Sequence, residues 1–355
     1  MSCCKNEQIT KPDICENRLL LTGGKEKMTE IKQKNTVSDE ELAYANRVIQ
    51  ILKQYYHRHV IGQEALGDAL ISSIMADGHI LIESVPGLAK TTAAKAIASA
   101  VNASFSRIQC TPDLLPSDIT GTQVYNRNTA QFETVFGPVF SNFVLLDEIN
   151  RSSAKTQAAM LEAMQEKQVT IAGVSYHMPE DLFIVIATQN PIEQEGTYML
   201  SEAQTDRFLI KEKLDYPDVN EEAKILRLLE KDTGKDEAVL STEHIRTLQR
   251  ICRNVYIDQA IINYIARIVS ATRTPSDEMK QYIRFGASVR ASIAFMKMSK
   301  AHALLSGRSY VIPEDVKTVR YSVLRHRISL SYSAVSQKIQ PEDLIDQIFS
   351  GIPTP

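Results

Sequence analysis

Short uninterrupted apolar runs, separated by segments with helical spacing, make up the pattern of the first half of the chain. The runs lie at residues 80–82, 143–146 and 182–187, with a further strand-like segment at 105–110. An apolar run of four that is bounded by polar residues is typical of a strand buried on both faces of a parallel sheet. After the first run, Ala94, Ile97, Ala98 and Val101 recur at the spacing of one helix face. This alternation predicts an α/β fold in which helices flank a central parallel sheet.

Two pairs of strand-like segments interrupt the alternation. Residues 123–125 and 131–135 flank the polar turn Asn126-Arg127-Asn128, and residues 168–172 and 174–178 flank Gly173. Segments of this kind around a short turn predict two β-hairpins. A hairpin at the edge of the fold with no ligand contact is the simplest interpretation of both.

Beyond residue 215 the pattern becomes helical. Pro217 and the charges around it break the last strand-like run. Amphipathic segments follow at 221–229, 261–269, 289–305 and 313–326, and a last helix follows Pro341. Near the other end, Ser38 and the acidic residues after it predict a helix that begins near residue 39.

These patterns divide the chain into three parts. We predict an α/β domain at 38–215 and a smaller all-α domain at 216–355 that ends in a short tail. Residues 1–37 are polar and aperiodic, and we interpret residues 1–27 as upstream sequence read as protein, with Met28 as the true start. The alternative is a disordered N-terminal extension.

The turn after the first strand carries candidate phosphate chemistry. A strand, a turn with Gly87 and a Lys90-Thr91 pair at a helix start follow one another, which is the order of a phosphate-binding loop. In such a loop the lysine reaches the β- and γ-phosphates, and the threonine hydroxyl holds a magnesium ion. The strict pattern G-x-x-x-x-G-K-[ST] is not met, because Ser84 and Ala89 occupy its glycine positions. A solvated helix start is the alternative interpretation.

The residues that this interpretation places against the nucleotide are Val85, Pro86, Gly87, Leu88, Ala89, Lys90, Thr91 and Thr92. Glycine is usual at the position of Ser84, so serine there puts the turn geometry in question. Ser84→Gly is therefore expected to leave ATP binding equal or tighter, because glycine tolerates backbone angles that serine resists.

Polar side chains follow the next two buried runs. Asp147 and Glu148 stand at the carboxyl end of one run, where open α/β sheets bind ligands. We expect Asp147 to orient the magnesium shell and Glu148 to polarise the water that attacks the γ-phosphate. Asn190 follows the other run, and its amide is placed to hydrogen-bond that water or the γ-phosphate. The simpler interpretations are an acidic pair that caps a strand and an Asn-Pro turn.

The order of these segments resembles an AAA+ ATPase and, more narrowly, a member of the MoxR family. The likeness runs from about residue 60 to the C-terminus. It rests on VIGQE at 60–64, VPGLAKT at 85–91, TPDLLPSDITG at 111–121, GPVF at 137–140, DEINR at 147–151, KTQ at 155–157, LEAMQE at 161–166, ATQNP at 187–191, EAQTDRF at 202–208 and GASVRA at 286–291. Ser84 departs from the family pattern, and so does Val289, where proline is common.

The resemblance implies two arginines that report on the nucleotide. Arg207 is similar to an arginine finger, which projects from one subunit into the site of its neighbour. A guanidinium suits this role because it is always charged and binds phosphate oxygens in bidentate fashion. A salt bridge to Asp206 or Glu202 of the same chain is the alternative. Arg290 looks like the sensor-2 arginine, and whether it serves its own site or a neighbour's is open.

The resemblance also implies where other parts of the site lie. Val60, Ile61 and Gly62 are expected to contact the adenine between the two domains. The hairpins at 123–135 and 168–178 are expected to line a central pore. The domain at 38–215 is then the nucleotide-binding domain, and the all-α domain at 216–355 is the lid. The basic cluster Arg325-His326-Arg327 is interpreted as a solvated surface of the lid.

Composition limits the partners. The net charge is −3 and the pI is near 6.2, so no global field attracts nucleic acid or an anionic membrane. No apolar run approaches the length of a membrane span. The five cysteines, Cys3, Cys4, Cys15, Cys110 and Cys252, have neither disulfide nor zinc spacing. We expect a cytoplasmic protein without a nucleic-acid partner or membrane insertion.

Together the motifs and the resemblance predict a magnesium-dependent ATP hydrolase with ATP and Mg²⁺ as cofactors. The family implies a homo-oligomeric ring, hexameric in this interpretation, that remodels or matures partner proteins. The expected clients carry von Willebrand factor A domains. The alternatives are a DNA-remodelling or helicase-like AAA+ ATPase, and a nucleotide-binding scaffold that hydrolyses little, which Ser84 suggests.

Overall fold

A computed structural model describes residues 37–85, 87–88, 90–191, 197–229 and 238–355. Within these residues the strands, in chain order, are β1 Ile80–Ser84, β2 Val101–Asn102, β3 Phe105–Gln109, β4 Gly121–Asn126, β5 Gln131–Phe136, β6 Phe143–Asp147, β7 Gln168–Ile171, β8 Val174–His177, β9 Ile184–Gln189, β10 Ile210–Leu214, β11 Leu240–Ser241, β12 Ile283–Phe285 and β13 Ser329–Leu330. The predicted N-terminal extension and Met28 lie outside the described residues, apart from Val37.

The helices of the described residues surround these strands. They are α1 Asp39–His59, α2 Glu64–Met75, α3 Lys90–Ala100, α4 Pro116–Thr120, α5 Ala154–Glu166, α6 Glu202–Thr205, α7 Val219–Leu229, α8 Thr242–Asn254, α9 Gln259–Arg273, α10 Asp277–Lys280, α11 Val289–Leu305, α12 Pro313–Thr318, α13 Arg320–Leu324, α14 Tyr332–Ser336 and α15 Pro341–Ser350. The predicted start near residue 39 is confirmed, because Ser38 and Glu41 form a capping box at the start of α1.

The central sheet has the strand order β10-β1-β9-β6-β3, and every pairing in it is parallel. The carboxyl ends of its middle strands are level, since Glu83 pairs with Gln189 and Leu146 pairs with Ala187. The chain leaves β1 for the far edge, returns through β6 and β9, and then adds β10 on the other side. β1 therefore lies where the winding changes direction, the place where such sheets bind ligands. The predicted α/β architecture is confirmed.

Alternate side chains of the middle strands pack into different cores. All five residues of β6 are buried. Phe143 and Leu145 belong to the core that contains Ile97 of α3, while Val144 and Leu146 belong to the core that contains α5. Helices therefore cover both faces of the sheet, as the continuous apolar runs predict.

Both predicted hairpins are present. β4 pairs with β5 from Gly121↔Phe136 to Asn126↔Gln131, and β7 pairs with β8 around a two-residue turn. In that turn Ala172 and Gly173 have φ values of 48° and 84°, which match the twist of a tight hairpin. The first hairpin exposes a row of apolar side chains, which are Val124, Tyr125, Phe132, Val135 and Phe136.

The part of the chain after residue 215 is mainly helical, with several differences from the prediction. The helix predicted at 289–305 has those bounds in the structure. The single helix predicted at 313–326 is wrong: α12 and α13 are separate, because Val319 between them leaves helical geometry at φ −85° and ψ 4°. α8 is not predicted. Short strands also occur there, since β11 pairs with β2 and β12 pairs with β13.

No helix within the described ranges combines the length and the apolar character that a bilayer crossing requires. Cys110 and Cys252 are buried free thiols, and burial raises the pKa of each to about 12. Neither side chain is therefore a thiolate near neutral pH.

Candidate functional site

The chain between β1 and α3 forms the loop that the sequence analysis places against phosphate. β1 ends at Ser84, Gly87 turns with a φ of 87°, and α3 begins at Lys90. A Cβ added at Gly87 meets no atom within 4 Å, so the left-handed φ favours glycine here and crowding does not. Val85 and Leu88 flank this turn, whereas Pro86 and Ala89 lie outside the described residues. The strand–turn–helix order leaves the N–H groups at the start of α3 at the carboxyl edge of the sheet.

The Lys90 side chain turns into this loop. Its Nζ donates to the carbonyl oxygens of Ser84 at 3.3 Å and Val85 at 3.4 Å, and the residue is 9% exposed. The alternative of a solvated helix start is therefore wrong for Lys90. Thr91 and Thr92, which follow it, line a cavity of about 370 Å³ beside His59.

Ser84 takes the place of the usual glycine without backbone strain. It is the last residue of β1, is buried, and does not have a positive φ. Its hydroxyl donates to the Val85 carbonyl oxygen at 3.1 Å. The turn geometry at this position therefore does not require glycine.

Ser84→Gly is accordingly expected to leave ATP affinity unchanged within about threefold, because no strain is present for glycine to relieve. It is expected to lower the free energy of unfolding by roughly 0.5–1 kcal/mol, since glycine in a strand loses more conformational freedom on folding. Calorimetric titration with ATP and denaturant unfolding measure the two effects. Clearly tighter binding would show that the bound loop adopts a backbone conformation that serine resists.

Asp147 and Glu148 stand beside this loop at the carboxyl end of β6. Asp147 Oδ1 accepts a hydrogen bond from Thr188 Oγ1 at 2.8 Å, and its Oδ2 accepts from Arg107 Nη2 at 2.6 Å and Nε at 3.1 Å. Thr188 Oγ1 also accepts from the Glu148 backbone N–H at 2.9 Å. The two acidic residues are thus fixed by the strands on either side of β6, which is more than a strand cap requires.

Glu148 has an unusual backbone and a restrained side chain. Its φ of 57° lies in the left-handed region, where non-glycine residues are uncommon. Its Oε2 accepts from Gln109 Nε2 at 3.2 Å and lies 3.4 Å from Arg151 Nη1. Such a conformation persists only where the surroundings enforce it, and it is typical of functional sites.

Asn190 lies at the same end of the strands as Asp147 and Glu148. It follows the last residue of β9, is 4% exposed, and its carbonyl oxygen accepts from Asn150 Nδ2 at 3.4 Å. The level strand ends place Asn190 next to the end of β1 and Asp147 next to the end of β9. The structure thus places Lys90, Asp147, Glu148 and Asn190 at the carboxyl end of the strands, and their roles at a nucleotide stay predictions.

Three residues of this site were not predicted, namely Arg107, Gln109 and Thr188. The first two lie on β3 and face Asp147 and Glu148 from the neighbouring strand. Thr188 is a polar residue at the carboxyl end of β9, the strand that pairs with the strand of Asp147. Its polar character at the end of an apolar run was the sequence signal that could have identified it. For Arg107 and Gln109 there is no local signal, because their partners are about forty residues away.

Arg207 and Arg290 lie at the opposite end of the strands, the amino end. β1 and β10 begin level, since Ile80 pairs with Ile210, and Arg207 precedes β10. A five-residue strand spans roughly 16 Å, so Arg207 is about that far from the phosphate loop of its own chain. Arg207 and Arg290 both line one cavity of about 250 Å³ at this end. The structure does not bring either arginine to Lys90.

The alternative role of Arg207 in an intrachain salt bridge is not what the structure shows. Asp206 pairs with Arg327 at 2.8 Å and with Arg290 at 3.5 Å. Within the described part of the chain, the Arg207 side chain makes no hydrogen bond or ion pair. With respect to the described residues, its guanidinium is thus uncommitted.

The interpretation of Arg325-His326-Arg327 as a solvated surface is wrong. Arg327 is 7% exposed, and burial lowers its pKa to about 10 while Asp206 opposes that shift. Burial, and then the charge of Arg327, hold the pKa of His326 well below its usual range. Arg325 bridges Glu212 and Glu342 at 3.4 and 3.3 Å. The cluster belongs to a contact with β10 and the segment before it.

The segment expected to contact adenine lies at the end of α1. Val60 is 3% exposed, and Gly62 has a φ of 73°. A Cβ at Gly62 would approach the Glu221 side chain of α7 to within 3 Å. Gln63 Nε2 donates to the Asp215 carbonyl oxygen at 3.4 Å. The segment therefore lies against the junction at 215–221, and adenine binding there stays a prediction.

Comparisons with known proteins agree with this architecture. Residues 79–210 match the ATPase family associated with various cellular activities (AAA), and residues 277–348 match the AAA lid domain. Chaperone MoxR1 of Mycobacterium tuberculosis is 44% identical over 302 residues, which are 84% of this chain and 80% of that protein. YeaC of Bacillus subtilis, an uncharacterized protein, is 44% identical over 305 residues, 85% of this chain and 93% of that one. A crystal structure of a candidate ATPase from Cytophaga hutchinsonii superposes with a TM-score of 0.83 at 40% identity, and covers 93% of this chain and 99% of its own.

Proposed function

The chain belongs to the MoxR family of AAA+ ATPases, and on that premise we propose that it hydrolyses Mg-ATP at sites shared between the subunits of a ring. The observation that carries the proposal is the meeting of Lys90, Asp147, Glu148 and Asn190 at the carboxyl edge of the sheet. The output is the remodelling of partner proteins, a role that the name of the mycobacterial relative supports.

The residues of the loop fit a magnesium-bound nucleotide. Lys90 supplies positive charge, the start of α3 supplies backbone N–H groups, and the open space at Gly87 lets a polyphosphate approach the backbone. The Thr91 hydroxyl and the Asp147 carboxylate are oxygen ligands of the kind that Mg²⁺ prefers. When bound, Mg²⁺ neutralises charge that develops on the phosphate oxygens during transfer.

Glu148 is the group that we assign to water activation. A carboxylate accepts a proton from water as the water attacks the γ-phosphate. In the structure this carboxylate is engaged by Gln109 and Arg151, so it must turn from them to contact the water. The Asn190 amide, at the end of the adjacent strand, is placed to orient the same water or the γ-phosphate.

The two arginines serve a neighbouring subunit in this proposal. Because Arg207 and Arg290 lie about a strand length from their own phosphate loop, neither is placed to complete its own site. Both open onto the same cavity and neither is buried. We therefore assign both to action in trans, Arg207 as the finger on the γ-phosphate and Arg290 as the sensor of nucleotide state.

This division of the site implies a ring. The surface that carries the phosphate loop of one subunit must face the surface that carries Arg207 and Arg290 of the next. The two contacting surfaces are therefore different. A head-to-tail contact of this kind generates a closed ring when its rotation closes. We propose six subunits, as the family resemblance implies.

The exposed hairpin β4–β5 supports a protein client. Val124, Tyr125 and Phe132 are each half exposed or more on one small hairpin, and such apolar exposure marks surfaces that bind other proteins. We propose that this hairpin contacts clients at the ring centre, and that the clients carry von Willebrand factor A domains. No observation on the described residues favours a DNA partner. The weakly hydrolysing scaffold is not favoured either, because Ser84, the residue that suggested it, is unstrained.

Steady-state phosphate release by the full chain tests the activity, with and without EDTA. Magnesium-dependent turnover together with a ring mass in native mass spectrometry is the expected result. Tight ATP binding without turnover would instead favour the scaffold. Turnover that depends on added DNA, lost at high salt, would favour the DNA-remodelling alternative.

Lys90→Ala is expected to weaken ATP binding by about 10- to 100-fold, because hydrogen bonds to a charged group contribute about 1.5–3 kcal/mol. Isothermal titration with ATP measures it. Lys280→Ala is the control, since Lys280 is exposed on α10, outside the phosphate loop, and carries the same charge. Unchanged affinity in Lys90→Ala would remove the phosphate loop from this position.

A further inference from the structure

A buried arginine holds the segment that carries Arg207. Arg327, which follows α13, donates from Nε to Asp206 Oδ1 at 2.8 Å and from Nη2 to the Phe208 carbonyl oxygen at 2.5 Å. Its Nη1 donates to the carbonyl oxygens of Leu209 at 3.0 Å and Val323 at 2.6 Å. A guanidinium has five N–H donors in a fixed fork, and here all three nitrogens are engaged. The fork thus ties α13 to residues 206–209.

The contacts of this segment surround Arg207 on both sides. Asp206 before it and Phe208 after it are both bound by Arg327, and His326 Nε2 lies 3.2 Å from the Phe208 carbonyl oxygen. The Phe208 side chain is fully buried. Because the Arg207 side chain makes no hydrogen bond or ion pair in the described part of the subunit, the direction in which it leaves the surface is set by this held backbone.

Asp206 also joins the segment to a second place after residue 276. Its Oδ2 accepts from Ser288 Oγ at 2.8 Å and lies 3.5 Å from Arg290 Nη1, both at the start of α11. Two separate parts of the region that matches the AAA lid domain therefore grip one carboxylate beside Arg207. A displacement of that region relative to the sheet must pull on residues 206–209.

We propose that Arg327 is a positioning residue for Arg207, and that Asp206 links the lid to the arginine that completes the neighbour's site. This inference rests on the proposed function, in which Arg207 acts in trans. A displacement of about 1 Å at a catalytic group can cost about 100-fold in rate. The grip of Arg327 on the flanking residues is therefore sufficient to decide whether the finger works.

The test uses subunit mixing, which separates a positioning role from a general structural one. Arg327→Met keeps the length of the side chain and removes the fork. We expect it to bind ATP within about threefold of the unaltered chain and to lose about 100-fold in kcat. Mixed under subunit exchange with Glu148→Gln, it should regain activity, because the partner offers a sound Arg207. Mixed with Arg207→Ala, it should regain none, because no subunit then offers a working finger.

Ser288→Ala covers the case in which Arg327→Met does not fold. It removes one hydrogen bond to Asp206 and leaves no buried charge unpaired, so a loss of about 3- to 10-fold in kcat is expected. Mixed one to one with Glu148→Gln, it should keep or exceed its own activity per total protein, whereas mixing with Arg207→Ala should lower that activity to about half. Arg325→Met is the matched control, since Arg325 lies two residues away and contacts Glu212 and Glu342 instead.

Three results would overturn the inference. One is recovery of activity when Arg327→Met or Ser288→Ala is mixed with Arg207→Ala, which would place the defect in the variant's own nucleotide site. Another is full kcat in Arg327→Met, and a third is an equal, non-complementing loss in Arg325→Met. The proposed function fails in a different way, when Glu148→Gln and Arg207→Ala do not complement each other.

Discussion

Glu148→Gln subunits are expected to bind ATP as tightly as the unaltered chain and to hydrolyse it about 10²–10⁴-fold more slowly, the usual contribution of a general base. Glutamine keeps the size of the side chain and can still accept a hydrogen bond from Gln109, which now donates to Glu148 at 3.2 Å. It removes the charge that accepts a proton from the attacking water. Phosphate release at saturating ATP measures turnover, and calorimetry measures binding.

Glu162→Gln is the control for this experiment, because Glu162 is exposed on α5 and the same charge is removed. Near-normal turnover in Glu148→Gln would move water activation to another residue. Loss of ATP binding would show instead that Glu148 acts before the chemical step.

Arg207→Ala is expected to lower turnover by about 10³–10⁵-fold, the range found for arginine fingers that act in trans. The variant keeps Glu148 and the phosphate loop, so ATP binding in the single subunit should persist. Glu148→Gln subunits have the opposite defect and still present Arg207. In a random one-to-one ring, roughly a quarter of the sites combine a sound Glu148 with a sound neighbouring Arg207.

Mixing the two inactive proteins should therefore restore up to about a quarter of the unaltered activity, if sites act independently. Subunit exchange is checked by native mass spectrometry of the mixture. Arg267→Ala is the control, since Arg267 is exposed on α9. If exchange occurs and activity does not return, Arg207 acts within its own chain or only in the structure, and the shared site is wrong.

The candidate nucleotide site was predictable because the sequence signals for it are local. Lys90 begins the helix after β1, Asp147 is the last residue of β6 and Asn190 follows β9 directly. The parallel sheet brings these strand ends together without further information. The hairpins were predictable for the same reason, since turn and strands are adjacent in the chain. The break between α12 and α13 was not, because Val319 is neither glycine nor proline and ordinarily continues a helix.

Contacts between residues that are distant in the chain could not be predicted from the sequence. Arg107 binds Asp147 from forty positions away, and Arg327 binds Asp206 from 121 positions away. Clustered charges are usually solvated, so the local pattern at residues 325–327 pointed to the surface. Only the fold shows that Arg327 is buried and paired. The parallel register of β1 and β10 places Arg207 far from its own phosphate loop, and the contact with Asp206 places Arg290 beside it.

In the proposed shared-site mechanism, the separation of the phosphate loop from Arg207 makes protein concentration a control on catalysis. A dilute, dissociated subunit retains the whole phosphate loop, so in the proposed mechanism it stores ATP without consuming it. Turnover per subunit then rises with concentration as contacts form, and it levels off when every phosphate loop has a neighbour. In this mechanism ATP is hydrolysed only at protein concentrations at which the subunits associate.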